Sequence, residues 1–143
     1  KDFTFESIGG KTRQLKIRFI KKGQGNSFSL PFSRLSDGEK CLFIGALVMA
    51  ANEFYGPLLC FWDEPDSYLS LAEVGHFISA LRRSFVENGQ LLASSHNSEA
   101  ISRFSDENTV VFQRGSHSEP VVVRPLSEIN YSGLIDSIIG GEI

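Results

Sequence analysis

The chain has 143 residues, 41% of them hydrophobic and 22% charged, with a formal net charge of −3. That is enough chain for one ordinary soluble domain with a real core. No apolar run approaches the ~20 residues of a membrane-spanning helix; the longest is Cys41 to Ala51.

No signal peptide is visible, and the first residue is Lys1 rather than Met, so a piece of a longer protein is expected. Cys41 and Cys60 sit in apolar stretches and form no CxxC pair. Two buried thiols in a reducing, cytoplasmic setting are the expectation. The net charge hides an asymmetry. Residues 1–36 hold eight Lys/Arg and two acids, a balance of +6, and residues 37–143 balance at −9. A basic face toward DNA competes here with a solvated edge hairpin blunted by lysine.

In chain order, "TRQLKIRFIKKGQGNSFSLPF" alternates. Leu15, Ile17 and Phe19 face one way, and Lys16 and Arg18 the other. The stretch "KKGQGNS" supplies a turn, so a β-hairpin is predicted within residues 1–32. Ser36 to about Asn52 reads as a helix. Ser36 and Glu39 stand at capping-box spacing, and the apolar run behind them predicts burial on nearly all sides. "LLCFW" (Leu58–Trp62) lies between two prolines and reads as an interior strand. Ser70 to about Glu87 is a second helix, with Ser70 and Glu73 again at capping-box spacing. Val74, Phe77, Ile78, Leu81 and Phe85 form its apolar stripe, and Asn88-Gly89 ends it. "QLLASS" (Gln90–Ser95) is a further short strand, completing a βαβ unit with parallel strands. A short helix near Ser98–Phe104, the strands "TVVFQ" and "PVVVR", and a helical C-terminal end complete the expected order. There are no internal repeats.

Three features fall at the ends of these elements. "LSDGEK" (Leu35–Lys40) opens the first helix. "LLCFWDEP" places Asp63 and Glu64 just after one strand, and "SSHN" places His96 just after its neighbour. Ligands of open α/β sheets bind outside the carboxyl ends of the strands, so Asp63, Glu64 and His96 should share one crevice. A carboxylate after a buried strand suits Mg2+ held through water. Its neighbour Glu64 can polarise an attacking water, and a histidine can orient a terminal phosphate. At the other motif, Gly38 lets backbone approach closely, and helix-end amides form an anion site. Taken alone, each motif is as well explained by a capped helix, a turn or a structural histidine; the three together point to a nucleotide site.

With these residues together, the chain resembles the C-terminal half of an ATP-binding-cassette (ABC) type ATPase head. "LSDGE" is similar to the LSGGQ/LSGGE signature, with Asp37 in place of a glycine. "LLCFWDEP" resembles the Walker B strand with its catalytic glutamate, and His96 resembles the switch histidine. The motifs span about Ser33 to Asn97. "GEKCLFIGAL" resembles SMC-like and RecF-like heads, and "DEPDSYLSLAEV" resembles stand-alone ATPases of the OLD type and antiphage-defence ATPases. Ser70 stands where the family often has aspartate.

The resemblance implies a P-loop NTPase-like α/β lobe over residues 33–143 with a mixed, mainly parallel sheet. The whole chain, 1–143, would then be a single domain. It implies ATP and Mg2+ as ligands, Glu64 and His96 as catalytic residues, and Asp63 on the metal. Ser36, Gly38 and Glu39 would contact the ATP of a partner head, since two such heads dimerise around ATP. "FESIGGKT" (Phe5–Thr12) is not a P-loop, because Phe5 stands at its first glycine and a strand pattern follows. The P-loop lobe is therefore expected upstream or on another chain, and these residues alone should be inactive. The alternatives are a nucleotide-binding subunit of a membrane transporter and a degenerate head that only dimerises.

Overall fold

The computed structural model describes residues 2–20, 27–104 and 108–129. They form a mixed α/β structure of small sheets and three α-helices. The chain divides into two compact units, Lys1–Ile44 and Gly45–Ile143, with the boundary inside the first long helix. The predicted C-terminal helix and the turn residues Lys21 and Lys22 lie outside the described residues.

The first unit is a three-stranded antiparallel sheet in the order β1 (Asp2–Gly9), β2 (Thr12–Ile20), β3 (Ser27–Pro31). Phe3 pairs with Ile17 and Phe5 with Leu15, while Leu30 pairs with Ile17 and Phe28 with Phe19. Opposed residues share a face, so these apolar side chains form one side of the sheet. Phe19 and Phe28 stack at 5.2 Å between centroids, and Phe43 meets Phe3 and Phe32 at 5.8 and 5.5 Å. The expected hairpin is thus one strand short. This further strand carries the same alternation at Phe3 and Phe5, and its pairing sets these rings beside Ile17 and Leu15 on one face. "SIGGKT" is the tight turn between β1 and β2. Gly9 and Gly10 have φ of 123° and 55°, which side chains rarely tolerate. No helix follows the turn, so it is not a phosphate loop.

Helix α1 runs from Asp37 to Tyr55. Cys41, Gly45 and Asn52 are buried on one stripe, but Ile44, Leu47, Phe54 and Tyr55 are exposed. The expectation of burial on nearly all sides is corrected: an apolar helix is enclosed only where other elements cover each face.

The second unit contains the predicted βαβ. Strand β4 (Leu59–Asp63) and strand β5 (Gln90–Ser94) pair in parallel, with helix α2 (Leu71–Phe85) between them in sequence. The α2 stripe of Val74, Phe77, Ile78, Leu81 and Phe85 is buried. The Phe77 ring lies edge-on to Trp62 at 5.7 Å. Gly45 admits this packing, since a Cβ there would sit 2.2 Å from Phe77 Cε2. Asn52, 1% exposed, ties the end of this layer together. Its Nδ2 donates to the Ser84 carbonyl at 2.8 Å, and its Oδ1 accepts the Leu58 N–H at 3.0 Å. Beyond α3 (Ser98–Ser102), β6 (Val110–Gln113) and β7 (Val122–Pro125) form a separate antiparallel pair.

Among the described residues β4–β5 is the one parallel pairing, so the expected larger, mainly parallel sheet is not shown among them. Parallel neighbours need crossovers, and the described chain contains a single strand–helix–strand crossover in one sheet. The opposite face of β4–β5 carries Leu59, Phe61 and Leu92, exposed at 72%, 73% and 52%.

Candidate nucleotide site

Two sets of predicted residues lie in different units. The first is the start of α1. Ser36 Oγ donates to Glu39 Oε2 at 2.9 Å, the Ser36 N–H donates to the same oxygen at 2.9 Å, and Ser36 Oγ accepts the Glu39 N–H at 3.3 Å. This is a complete capping box, so the Ser36 hydroxyl proton is engaged by Glu39. Gly38 occupies the first turn, where helix amides lack intrahelical acceptors. Asp37 turns its carboxylate to Lys40, with Oδ1 2.8 Å from Nζ. The negative charge of Asp37 is therefore balanced by a cation one turn away, an exposed pairing of small energetic weight.

The second set lies at the carboxyl ends of β4 and β5. The parallel register pairs Asp63 with Ser94, so the residues that follow each strand emerge side by side. Ser94 Oγ donates to Asp63 Oδ1. The Glu64 N–H points at both the Ser94 carbonyl (3.2 Å) and Ser94 Oγ (3.1 Å). The chain then turns sharply. Glu64 has φ 48°, a left-handed conformation uncommon for a non-glycine residue and concentrated at functional sites. Its carboxylate is held at both oxygens: Oε2 accepts Ser67 Oγ–H at 2.7 Å, and Oε1 lies 3.1 Å from His96 Nδ1. The side chains of His96 and Glu64 remain 76% and 48% exposed, open to a ligand and to water.

Asp63, Glu64 and His96 are thus brought together, whereas Ser36, Gly38 and Glu39 form a separate cluster in the other unit. Reading the sequence missed Ser67 and Ser94. Ser67 follows Glu64 by three positions, the spacing of a turn. Ser94 becomes visible only through the strand register. Ser70 caps α2: its N–H and Oγ–H both donate to Glu73 Oε2, at 3.0 and 2.6 Å. These hydrogen bonds, the hydroxyl's first, hold the Glu73 carboxyl below the ordinary glutamate range. Cys60 is only half-buried, and burial raises its thiol pKa.

No cluster of three or more His, Cys, Asp or Glu among the described residues could hold a metal by itself. Asp63 fits a cation that keeps most of its water and takes other oxygens from substrate, as Mg2+ does. No helix among the described residues is long and apolar enough to cross a membrane.

No family model and no curated protein matches this sequence. Among solved structures, the chain is similar to an SMC ATPase, described for its ATP-driven dimerisation and DNA-stimulated activation. The two share 17% identity with a TM-score of 0.59, over 92% of this chain and 74% of the other. In fold, therefore, this α/β chain is similar to an SMC ATPase.

Proposed function

We propose that this chain is the signature- and Walker-B-bearing lobe of an SMC-like or OLD-like ABC ATPase head. Such a head binds and hydrolyses ATP in the cytoplasm, dimerises around the nucleotide, and serves DNA maintenance or antiphage defence. The observation that carries the reading is the meeting of Glu64 and His96 at 3.1 Å, beside Asp63, beyond the carboxyl ends of two parallel strands. Glu64 accepts a proton from the attacking water, and His96, with its ring against that carboxylate, orients it. Asp63 would hold a hydrated Mg2+, and the metal would supply charge neutralisation at the phosphates. Ser36, Gly38 and Glu39 form the edge that meets the ATP of a second head.

The P-loop comes from a lobe elsewhere in the parent chain or on another chain. The bare apolar face of Leu59, Phe61 and Leu92 supports a missing layer, because parallel strands are ordinarily covered on both faces. The test is Glu64→Gln in the complete head. It should lower ATP turnover by about 100-fold or more while leaving an ATP-bound dimer. Turnover at the wild-type rate would remove the ATPase reading.

DNA is proposed as a further ligand of β2. Lys16 is already paired with Glu6, and Arg18 Nε donates to Ser27 Oγ at 3.2 Å, so the contribution is modest. Reversing Lys16, Arg18, Lys21 and Lys22 should weaken binding of duplex DNA at low salt and flatten its salt dependence. Unchanged affinity would exclude this face.

A further inference from the structure

Asp66 is 3% exposed, deeper than either carboxylate of the candidate site. Its Oδ2 accepts Ser95 Oγ–H at 2.9 Å, and its Oδ1 has no hydrogen-bond partner among the described residues. A half-satisfied buried carboxylate destabilises a fold, because the desolvated oxygen recovers little of what it loses from water. A residue kept under that penalty calls for an explanation other than stability.

The hydrogen bonds around it supply one. Ser95 Oγ, held by Asp66, accepts the Asn97 N–H at 3.0 Å. Asn97 Oδ1 in turn accepts the Glu99 N–H at 2.9 Å and caps α3. The series Asp66–Ser95–Asn97–Glu99 brackets His96 on both sides. It starts two residues after Glu64, in a turn closed by the Ser67 N–H to Glu64 carbonyl bond at 3.3 Å and the Leu69 N–H to Asp66 carbonyl bond at 3.0 Å. The strand ladder ends at Asp63 and Ser94, and the Ser95–Asp66 bond ties the two loops beyond it.

We propose that Asp66 is a positioning residue: by holding Ser95 it sets the backbone on either side of His96 and so keeps the imidazole against Glu64. The catalytic half of this statement rests on the ATPase reading; the structural half does not.

The experiment compares wild type, Asp66→Ala, Asp66→Asn, Ser95→Ala and the Asp66→Ala/Ser95→Ala pair in the complete head. Amide exchange at Asn97 and steady-state ATP turnover are measured on each. Asp66→Ala and Ser95→Ala should each speed Asn97 exchange and lower kcat about tenfold, with KM for ATP within about twofold of wild type. Asp66→Asn keeps an acceptor for Ser95 and should retain most of the rate. The double variant should be no worse than either single one, since both break one link. Additive losses, a kcat unchanged in folded Asp66→Ala, or a fall in kcat with Asn97 exchange unmoved would each overturn the proposal. Should Asp66→Ala not fold, Ser95→Ala decides by the same two readouts. A wild-type head without ATP turnover would sink the ATPase reading instead, and Asn97 exchange would still decide the clamp.

Discussion

His96 Nδ1 lies 3.1 Å from Glu64 Oε1, although 32 positions separate the two residues. Both side chains are substantially exposed, so this contact adds little to stability. Its value is geometric: it holds an imidazole and a carboxylate side by side, both open to solvent.

A double-mutant cycle follows from that geometry. His96→Ala should lower ATP turnover of the complete head by about 10- to 100-fold, and adding it to Glu64→Gln should cost little more. Thermal stability should stay within about 0.5 kcal/mol of wild type for each, as for other exposed positions. Fully additive rate losses would show that the two residues act separately.

Gly45 and Phe77 give a packing prediction. A Cβ at Gly45 would stand 2.2 Å from Phe77 Cε2 and 2.6 Å from Cζ, and that ring is held by Trp62. Gly45→Ala improves intrinsic helix propensity, so an open site would be stabilised. Here overpacking should win, with a loss of about 1–3 kcal/mol in chemical denaturation. A stabilised Gly45→Ala would show that the ring moves aside freely.

The α2 capping box gives a pH dependence. Hydrogen bonds from Ser70 depress the Glu73 carboxyl, so the folded state favours the ionised form. A depressed carboxyl contributes stability above its unfolded pKa, and that contribution is lost as pH falls through the folded value. Glu73→Gln should therefore be less stable than wild type near neutrality, and the gap should narrow on acidification from about pH 6 to about pH 3. Urea midpoints across that range measure it; a constant gap would assign the effect to the amide's shape rather than to charge.

Local chemistry determined much of this protein. Ser36 with Glu39 and Ser70 with Glu73 mark helix starts that the hydrogen bonds match, because a capping box is a contact within one turn. The Val74–Phe85 stripe and the alternation in β2 gave a helix and a strand through periodicity alone. That Asp63, Glu64 and His96 fall at strand ends was also legible, since each follows a short apolar run.

Tertiary structure decided the rest. Whether α1 is covered depends on how many layers surround it, a number its own uniformly apolar pattern does not encode. That Phe3 and Phe5 belong to a further strand depends on their register against Ile17 and Leu15 of β2. Ser94 against the Asp63 carboxylate and the Glu64 N–H, and Asp66 against Ser95, emerge only once β4 and β5 lie in parallel register. Capping and periodicity are set by neighbours in the chain, whereas these contacts join residues about thirty positions apart. The register of two strands, more than any motif, places a glutamate, a histidine and their supports side by side.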